Sequence, residues 1–357
     1  MIMARPQLMQ HSEKRAVHML KITAKAPTRI DLAGGTIDLW PIHQLLDQKA
    51  TVNVGITLDA QVDLVQSNNR TFQVESNDLG IKTSGDWHQI CQNQPLPLVG
   101  LLLKAMWRED LPALKITTSA KSPAGAGLGG SSCLAVTLCG ALDAARRTLE
   151  GGPRPSDHEL VQICSDVEAR LIHAPTGIQD YWGALRGQIN LLHFPPGGVK
   201  VTTISPDRIK ALDNELIVCY SGKSRASAIN NWEIFKRVFD GDKGLIAILN
   251  EIGEAAERCS DALKEGNLSR ALLVSSLEWQ LRVKLWPNIE TPETKKLDIA
   301  AKKAGASFTR VCGAGGGGVM AVFAPQEARE KVKKALTENG GAILNARVAD
   351  DGLQISH

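Results

Sequence analysis

The residues Lys121-Ser-Pro-Ala-Gly-Ala-Gly-Leu-Gly-Gly-Ser-Ser132 follow an apolar, β-branched stretch at 114–118 and lead into a small-residue segment with helical character from Ser131. Glycines let backbone N–H groups turn inward around an anion, and the exposed start of a helix adds partial positive charge. The chemistry such a loop serves is phosphate binding. It is not a Walker loop, since no G-x-x-x-x-G-K-[ST] is present, but Gly125-x-Gly127-x-x-Gly130 matches the dinucleotide fingerprint. A dinucleotide site expects its first glycine directly behind the strand and an acidic strand end about 20 residues later. Here 120–124, with Pro123, intervene, and the pattern stays helical from Gly130 to Leu149. An NAD(P)-dependent oxidoreductase and a purely structural glycine turn are therefore the weaker readings.

Three further segments carry chemistry. Cys312-Gly-Ala-Gly-Gly-Gly-Gly318 joins two apolar runs; a hairpin needs only one or two glycines, and more cost chain entropy. Close backbone approach to a ligand or to the other loop explains it better. In Lys25-Ala-Pro-Thr-Arg-Ile-Asp-Leu-Ala-Gly-Gly-Thr-Ile-Asp38, alternation puts Arg29 and Asp31 on one face of a strand, with Asp38 past a double-glycine turn. A solvated strand face with a polar turn fits these residues equally well. Glu168, four residues after Cys164 and three before Leu171, borders the buried stripe of a helix, where a carboxylate needs a cation or donors. Asp180 follows the turn at 175–177, and His173 reads as a helix C-terminal residue rather than a base.

The elements that must position these residues fall into two parts. Residues 1–20 lack a usable period and read as a poorly ordered leader. From 21 to about 117 the signals are mostly strand-like, followed by a helix at 131–149 and a Gly-Gly-Pro-Arg-Pro break. Ser156 with Glu159 forms a capping box for a helix to about Ile172, whose stripe is Leu160, Ile163, Cys164, Val167 and Leu171. A strand pair at 187–193 and 199–204 precedes the expected seam at 206–213, dividing 21–205 from 206–357. Beyond it come a strand at 216–221, helices at 244–264, 268–285 and 292–304, a strand pair within 307–324, a helix at 327–339 and a last strand at 342–348. Thr291 with Pro292 starts the third of these helices and Gly305 stops it. The tail reads as strands covered by helices on one side, an α+β layer.

A chain of 357 residues is long enough for two domains. Its 41 Lys+Arg against 38 Asp+Glu are spread without like-charge runs, which argues against nucleic acid and polybasic membrane binding. No apolar run reaches membrane-span length and no signal-peptide core is visible at the start, so a cytoplasmic protein is expected. Seven cysteines, an odd number without a C-x-x-C pair, read as reduced, mainly structural thiols.

The four segments, in this order, resemble the galacto-homoserine-mevalonate-phosphomevalonate (GHMP) kinase superfamily from about Lys21 to Val348. The strongest element is Pro123-x-x-x-Gly-Leu-Gly-Gly-Ser-Ser132, similar to the family's P-x-x-x-G-L-[GS]-S-S loop, backed by Thr176-Gly-Ile-Gln-Asp180 and the late glycine loop. The resemblance implies a two-domain α+β fold: an N-terminal half like ribosomal protein S5 domain 2 and a ferredoxin-like C-terminal half. It implies ATP and Mg²⁺ as cofactors. Pro123, Gly125, Ala126, Gly127, Leu128, Gly129, Gly130, Ser131 and Ser132 would hold the ATP phosphates. Ser131, with Ser132 as the alternative, and Glu168 would hold the metal, with Asp180 as general base and Arg29 beside it to stabilise the moving phosphoryl group. Asp38, Gly35, Thr36, Gly177, Gly315 and Gly316 would bind the acceptor. One departure is Gly130, where the family often has serine.

The start, Arg29-Ile-Asp-Leu-Ala-Gly-Gly-Thr-x-Asp38, resembles the sugar-kinase branch, especially fucokinases and heptose-phosphate 1-kinases. Galactokinases carry Glu-His where this chain has Gly35-Thr36, and mevalonate kinases carry lysine in place of Arg29. Tyr220-Ser-Gly-Lys-Ser-Arg225 is similar to a stretch of the heptose-phosphate kinases, so Arg225 and Lys223 are candidates for binding a phosphate already on the substrate. A solvated basic loop reads the same way. The expected reaction is phosphorylation of a hydroxyl, most readily the anomeric one, of a sugar or sugar phosphate such as heptose 7-phosphate. The alternative is a kinase for a mevalonate- or homoserine-like alcohol. A non-catalytic ATP- and sugar-binding relative would have no need of both Arg29 and Asp180. Oligomeric state leaves no readable mark.

Overall fold

The computed structural model describes residues 20–92, 95–223 and 231–357. Two long runs rich in β-branched residues, Lys21–Ala33 (β1) and Ala50–Gln66 (β2), pair antiparallel from Lys21↔Val65 to Ala33↔Val52. Around them lie β3 (Phe72–Ser76), β4 (Ile81–Gly85), β5 (Leu114–Ala120), β6 (Ile189–His193) and β7 (Lys200–Ile204). A second sheet holds β8 (Leu216–Tyr220), β9 (Phe308–Val311), β10 (Val319–Phe323) and β11 (Ala342–Leu344) in the order β11-β8-β10-β9, all antiparallel. That is the 4-1-3-2 order of a ferredoxin-like sheet. The chain then crosses back: Arg347 and Ala349 bond to Thr57 and Gly55 of β2, and a last strand, β12 (Gln354–Ser356), pairs with β1. The first sheet therefore reads β12-β1-β2-β5-β3-β4, with β6 also on β2 and β7 beyond it.

The helices of the first half are α1 (Trp87–Cys91), α2 (Pro97–Met106), α3 (Gly130–Glu150), α4 (Asp157–Ile172) and α5 (Gln179–Arg186); those that follow are α6 (Lys210–Glu215), α7 (Asn231–Phe239), α8 (Lys243–Lys264), α9 (Leu268–Leu285), α10 (Pro292–Ala304) and α11 (Arg329–Glu338). Small buried residues such as Ala135, Cys139 and Ala141 let α3 lie directly on β1 and β2, with α2, α4 and α5 against its other faces. From the second half, α8 and α9 pack back onto β1. The two-domain α+β fold expected of a GHMP kinase is the one observed.

Several local expectations hold in detail. Ser156 Oγ accepts from Glu159 N at 3.2 Å while the Glu159 carboxylate accepts from Ser156 N at 2.7 Å, closing the box that starts α4. Thr291 caps α10 and Gly305 ends it at φ 109°. Others differ. The stretch read as mostly strands contains α1 and α2; α2 is a continuous apolar run whose helical start is set by Pro97 in its first turn. The sequence pattern gives no sign of the α5 and α7 helices or of strand β12, and the strand expected to reach 348 ends at Leu344. The leader at 1–20 lies, apart from Leu20, outside the described residues. Among those described, no helix is long and apolar enough to cross a membrane, and all seven cysteines are unpaired.

Candidate active site

Alternation along β1 turns Arg29 and Asp31 inward, and neither is solvated: they are 4% and 1% exposed. That excludes the bland reading of this strand face. The Arg29 guanidinium donates to Asp180 Oδ1 from Nε at 2.7 Å and lies 2.6 Å from it through Nη2. Its Nη1 donates to the Gly127 carbonyl at 2.9 Å, and its backbone N–H to Leu128 O at 3.2 Å. Burial works against this charge, but Asp180 and Asp31 outweigh it and hold the Arg29 pKa above its ordinary value. Asp180 stands in the first turn of α5, which presses on β1 at Gly183, where a Cβ would come within 2.9 Å of Arg29 Cβ. Asn53, buried in β2, donates to Gln179 O at 2.8 Å and is itself held by Asn190 at 3.0 Å. The helix start that carries Asp180 is thus tied to the sheet by a polar chain.

The glycine loop leading into α3 takes left-handed backbone at Gly125, Gly127 and Gly129. Gly129 is the N-cap of α3 and no side chain caps the helix, so its first N–H groups are available to an anion. A Cβ on Gly129 would lie 2.8 Å from Asp180 Cγ, so the loop and the carboxylate require this glycine to sit together. The second glycine cluster answers its own question: it packs on the first loop. A Cβ on Gly127 would meet Cys312 O at 2.6 Å, one on Gly313 would meet Gly127 O at 2.4 Å, and Val319 N donates to Ala126 O at 2.8 Å. Within that cluster, Gly313 and Ala314 line a cavity, whereas Gly315, expected to bind the acceptor, backs onto Ile289, and Gly316 N–H donates to Ile289 O at 2.9 Å.

Glu168, 5% exposed on α4, receives three hydroxyls: Ser131 at 2.5 Å, Ser132 at 2.7 Å and Tyr181 at 2.7 Å, with Thr176 3.0 Å behind the tyrosine oxygen. These donors answer the demand that a carboxylate beside a buried stripe creates. Burial and the Glu168 charge push the Tyr181 phenol above its ordinary pKa, so it stays a donor. Among the described residues no group of three or more His, Cys, Asp or Glu could hold a metal. One carboxylate with two serine hydroxyls is nonetheless a hard-oxygen set, and Mg²⁺ typically takes one or two carboxylates with phosphate and water making up the rest. The donor set fits that ion.

Two cavities meet here. One, about 280 Å³, is lined by Ser122 to Ser131 of the glycine loop with Asp78, Leu79 and Leu134. The other, about 220 Å³, is lined by residues including Thr36, Asp38, Glu168, Gly177, Gln179 and Arg282. Arg29, Ser131 and Asp180 belong to both walls. Asp38, 2% exposed, accepts from Gln179 N at 3.1 Å and Gln179 Nε2 at 3.3 Å, and Gly177 has no room for a Cβ beside it. Burial first, and Asp180 nearby, push the Asp38 carboxyl up to about 6.

Behind these walls runs a buried ion network that joins the two halves. Arg310 on β9 binds Asp31 at 2.7 Å and Glu278 at 3.1 Å and also donates to Leu32 O. Asp31 accepts from Gly313 N at 2.8 Å, and Glu278 accepts from Gly34 N at 3.0 Å. Burial alone would raise the Asp31 pKa; Arg310, Arg29 and Arg282 reverse that and hold it low. Sequence reasoning missed Arg310, Glu278, Arg282, Asn53 and Tyr181. A signal existed for most of them: each is a polar residue inside an apolar run, with Glu278 and Arg282 four apart on one helix face. Arg225 lies outside the described residues, and Lys223 pairs with Glu293 at 3.2 Å. His173 is the left-handed C-cap of α4.

A helix start whose N–H groups no side chain caps, and a hydroxyl-lined cavity sharing one carboxylate–guanidinium pair with it, are the parts a phosphotransferase acting on a small alcohol needs. The comparisons agree. GHMP kinases N terminal domain matches residues 98–188 and GHMP kinases C terminal matches residues 250–342. The chain belongs to the GHMP kinase superfamily and is an ATP-dependent kinase with an alcohol group as acceptor; these enzymes use ATP and Mg²⁺. It is 23% identical to a mevalonate kinase of Pyrococcus furiosus across 94% of this chain and 98% of that one. It is 22% identical to a D-glycero-alpha-D-manno-heptose 7-phosphate kinase of Campylobacter jejuni across 94% and 99%. A solved D-glycero-D-manno-heptose 1-phosphate kinase from Bacteroides thetaiotaomicron superposes with a TM-score of 0.73 at 21% identity, over 94% of this chain and 99% of that one. Mevalonate kinases are the most numerous of these relatives, so the comparisons favour the non-sugar alternative over the sugar branch expected from the sequence.

Proposed function

We propose that the acceptor is a polyhydroxylated molecule, a sugar or sugar phosphate, and that a hydroxyl of it is phosphorylated in the cavity bounded by Asp38 and Asp180. The observation that carries this reading is Asp38. A buried carboxylate fixed by both nitrogens of Gln179 offers its remaining lone pairs to hydroxyl donors, and Thr36 and Thr176 line the same wall. The second reading, a mevalonate- or homoserine-like alcohol, is favoured by the number of mevalonate kinases among the relatives.

In this proposal Asp180 accepts the acceptor's proton at Oδ2, since Oδ1 is held by Arg29. Arg29 fixes that carboxylate against the loop carbonyl of Gly127 and places a positive charge where the phosphoryl group passes. Backbone N–H groups at the start of α3 would orient the nucleotide phosphates, and Ser131, Ser132 and Glu168 would hold the cation. ATP supplies the phosphoryl group and Mg²⁺ neutralises phosphate charge when bound. The anomeric hydroxyl is the acceptor oxygen we assign by resemblance to the heptose-phosphate kinases. An ADP-release assay with Mg-ATP across free aldoses, their terminal phosphates including manno-heptose 7-phosphate, fucose, (R)-mevalonate and homoserine tests it. Turnover with an aldose or aldose phosphate is expected; turnover with mevalonate or homoserine alone overturns the sugar reading.

A further inference from the structure

Three guanidinium groups, of Arg29, Arg282 and Arg310, and the carboxylates of Asp31 and Glu278 are buried where the two halves meet, with the partly exposed Asp180 beside them. Asp180 is engaged with Arg29, and Asp31 and Glu278 with Arg310. The remaining oxygens of Asp31 and Glu278 are also taken: Asp31 Oδ1 by Gly313 N, and Glu278 Oε1 by Gly34 N. Arg282, from α9, acts on Asp31 and Glu278 through its charge but makes no direct ion pair among the described residues. It is 2% exposed, yet among the described residues its side chain makes one hydrogen bond, from Nη2 to the Gly313 carbonyl at 3.2 Å. Its Nε and Nη1 are buried with no partner among the described residues. Buried N–H groups without acceptors are costly, and five N–H donors with one acceptor leave most of the guanidinium's capacity open.

Its position gives that capacity a use. Arg282 lines the same cavity as Asp38, Thr36 and Asp180, and it is not part of the wall around the glycine loop. Gly35 makes room for it: a Cβ there would fall 1.6 Å from Arg282 Nη1. Gly35 does not have left-handed backbone, so the missing side chain serves this close approach rather than a turn.

We propose that Arg282 is an acceptor-specificity residue that binds an oxyanion, a phosphate monoester or a carboxylate, carried by the molecule whose hydroxyl is phosphorylated. The inference deepens the reading of this cavity as the acceptor site but does not depend on the acceptor's being a sugar. Planar guanidinium suits both oxyanions through paired N–H···O contacts. The Asp38 carboxylate in the same cavity then takes hydroxyls, and Arg282 fixes which end of the acceptor faces Asp180.

The test measures kcat and KM for matched acceptors, charged and neutral: mannose 6-phosphate with mannose, manno-heptose 7-phosphate with manno-heptose, and (R)-mevalonate with its methyl ester. Binding of the same set and of inorganic phosphate is followed calorimetrically with the glycine loop saturated by Mg²⁺ and a non-hydrolysable ATP analogue. The wild-type chain is expected to prefer one charged member over its neutral counterpart. Arg282→Met should raise the KM for that member about 30- to 100-fold and collapse the preference, leaving KM for ATP unchanged. Gly35→Ala, which displaces the guanidinium without removing it, should erode the same preference. The phosphate and carboxylate arms identify which oxyanion is read. A merely structural role would lower charged and neutral acceptors alike, which overturns the proposal, as would loss of kcat at unchanged KM or the absence of any Arg282-dependent anion binding. Turnover of neutral sugars alone, unchanged in Arg282→Met, would overturn this inference while the sugar-kinase reading stood; Arg282-dependent turnover of mevalonate would do the reverse.

Discussion

Replacing Asp180 with asparagine isolates proton acceptance from position. Arg29 makes both of its contacts to Oδ1, at 2.7 Å and 2.6 Å, so asparagine can keep Oδ1 on the guanidinium and present Nδ2 where Oδ2 stood. The shape is preserved while an acceptor becomes a donor. A positioned general base contributes roughly 10²- to 10⁴-fold, and a mid-range loss of about 10³-fold in kcat corresponds to about 4 kcal/mol of barrier. The loop glycines proposed to hold the nucleotide are untouched, and Gly127 O keeps its bond from Arg29 Nη1, so ATP affinity should stay within about twofold. Because the carboxylate side chain is 22% exposed, the loss of its charge should cost only about 1–2 kcal/mol of stability. Single-turnover phosphoryl transfer, ATP titration by calorimetry and urea unfolding separate these quantities. Retention of more than about a tenth of the wild-type kcat would refute the base role. A parallel collapse of ATP affinity would instead make the residue a support for the loop.

Three other substitutions probe the rest of the site. Glu168→Gln keeps the three hydroxyl neighbours but removes the charge, and the Mg²⁺ concentration for half-maximal activity should rise about tenfold or more; an unchanged magnesium titration would remove Glu168 from the metal site. Asp38→Asn tests linkage. With a folded pKa of about 6 against an ordinary 3.8, the favourable contribution of protonated Asp38 is complete below about pH 3.8 and lost as pH rises through 6. The variant should therefore gain about 2–3 kcal/mol over wild type at pH 8 and nothing near pH 4, read by urea unfolding at each pH; parallel pH profiles would contradict it. Arg310→Met strips the partner from two buried carboxylates, Asp31 and Glu278, and should cost about 3–5 kcal/mol of stability. A loss below about 1 kcal/mol by the same measurement would mean the network is dispensable.

How legible this was from sequence depended on whether a residue's partners were close in the chain. Capping boxes and the helices 268–285 and 292–304 rest on contacts within a few residues, and they were readable. The α5 helix was not, because its N-cap Ile178 makes no side-chain hydrogen bond and eight residues give too little periodicity. The purpose of Asp31 was also hidden. Its partner Arg310 lies 279 residues away, and a charged residue on a strand looks the same whether it faces water or a distant cation. For the second glycine cluster the pattern narrowed the choice to a ligand or the other loop, and only the backbone contacts between Gly127, Cys312 and Gly313 decide it.

The return of the chain to its starting sheet bears on how such a molecule can be divided. Ser356 faces Thr23, Arg347 and Ala349 are bonded to β2, and a Cβ on Gly187 would fall 2.2 Å from the carbonyl oxygen of Asp351. In chain terms, the second sheet and its helices are an insertion: the thread leaves the first unit after β7 and comes home for its last strand. One cut therefore cannot yield two whole modules, because the first would be missing its border and the second would carry it as a loose end. Any exchange of the second half between relatives has two junctions to respect, and the later one lies within the final fifteen residues.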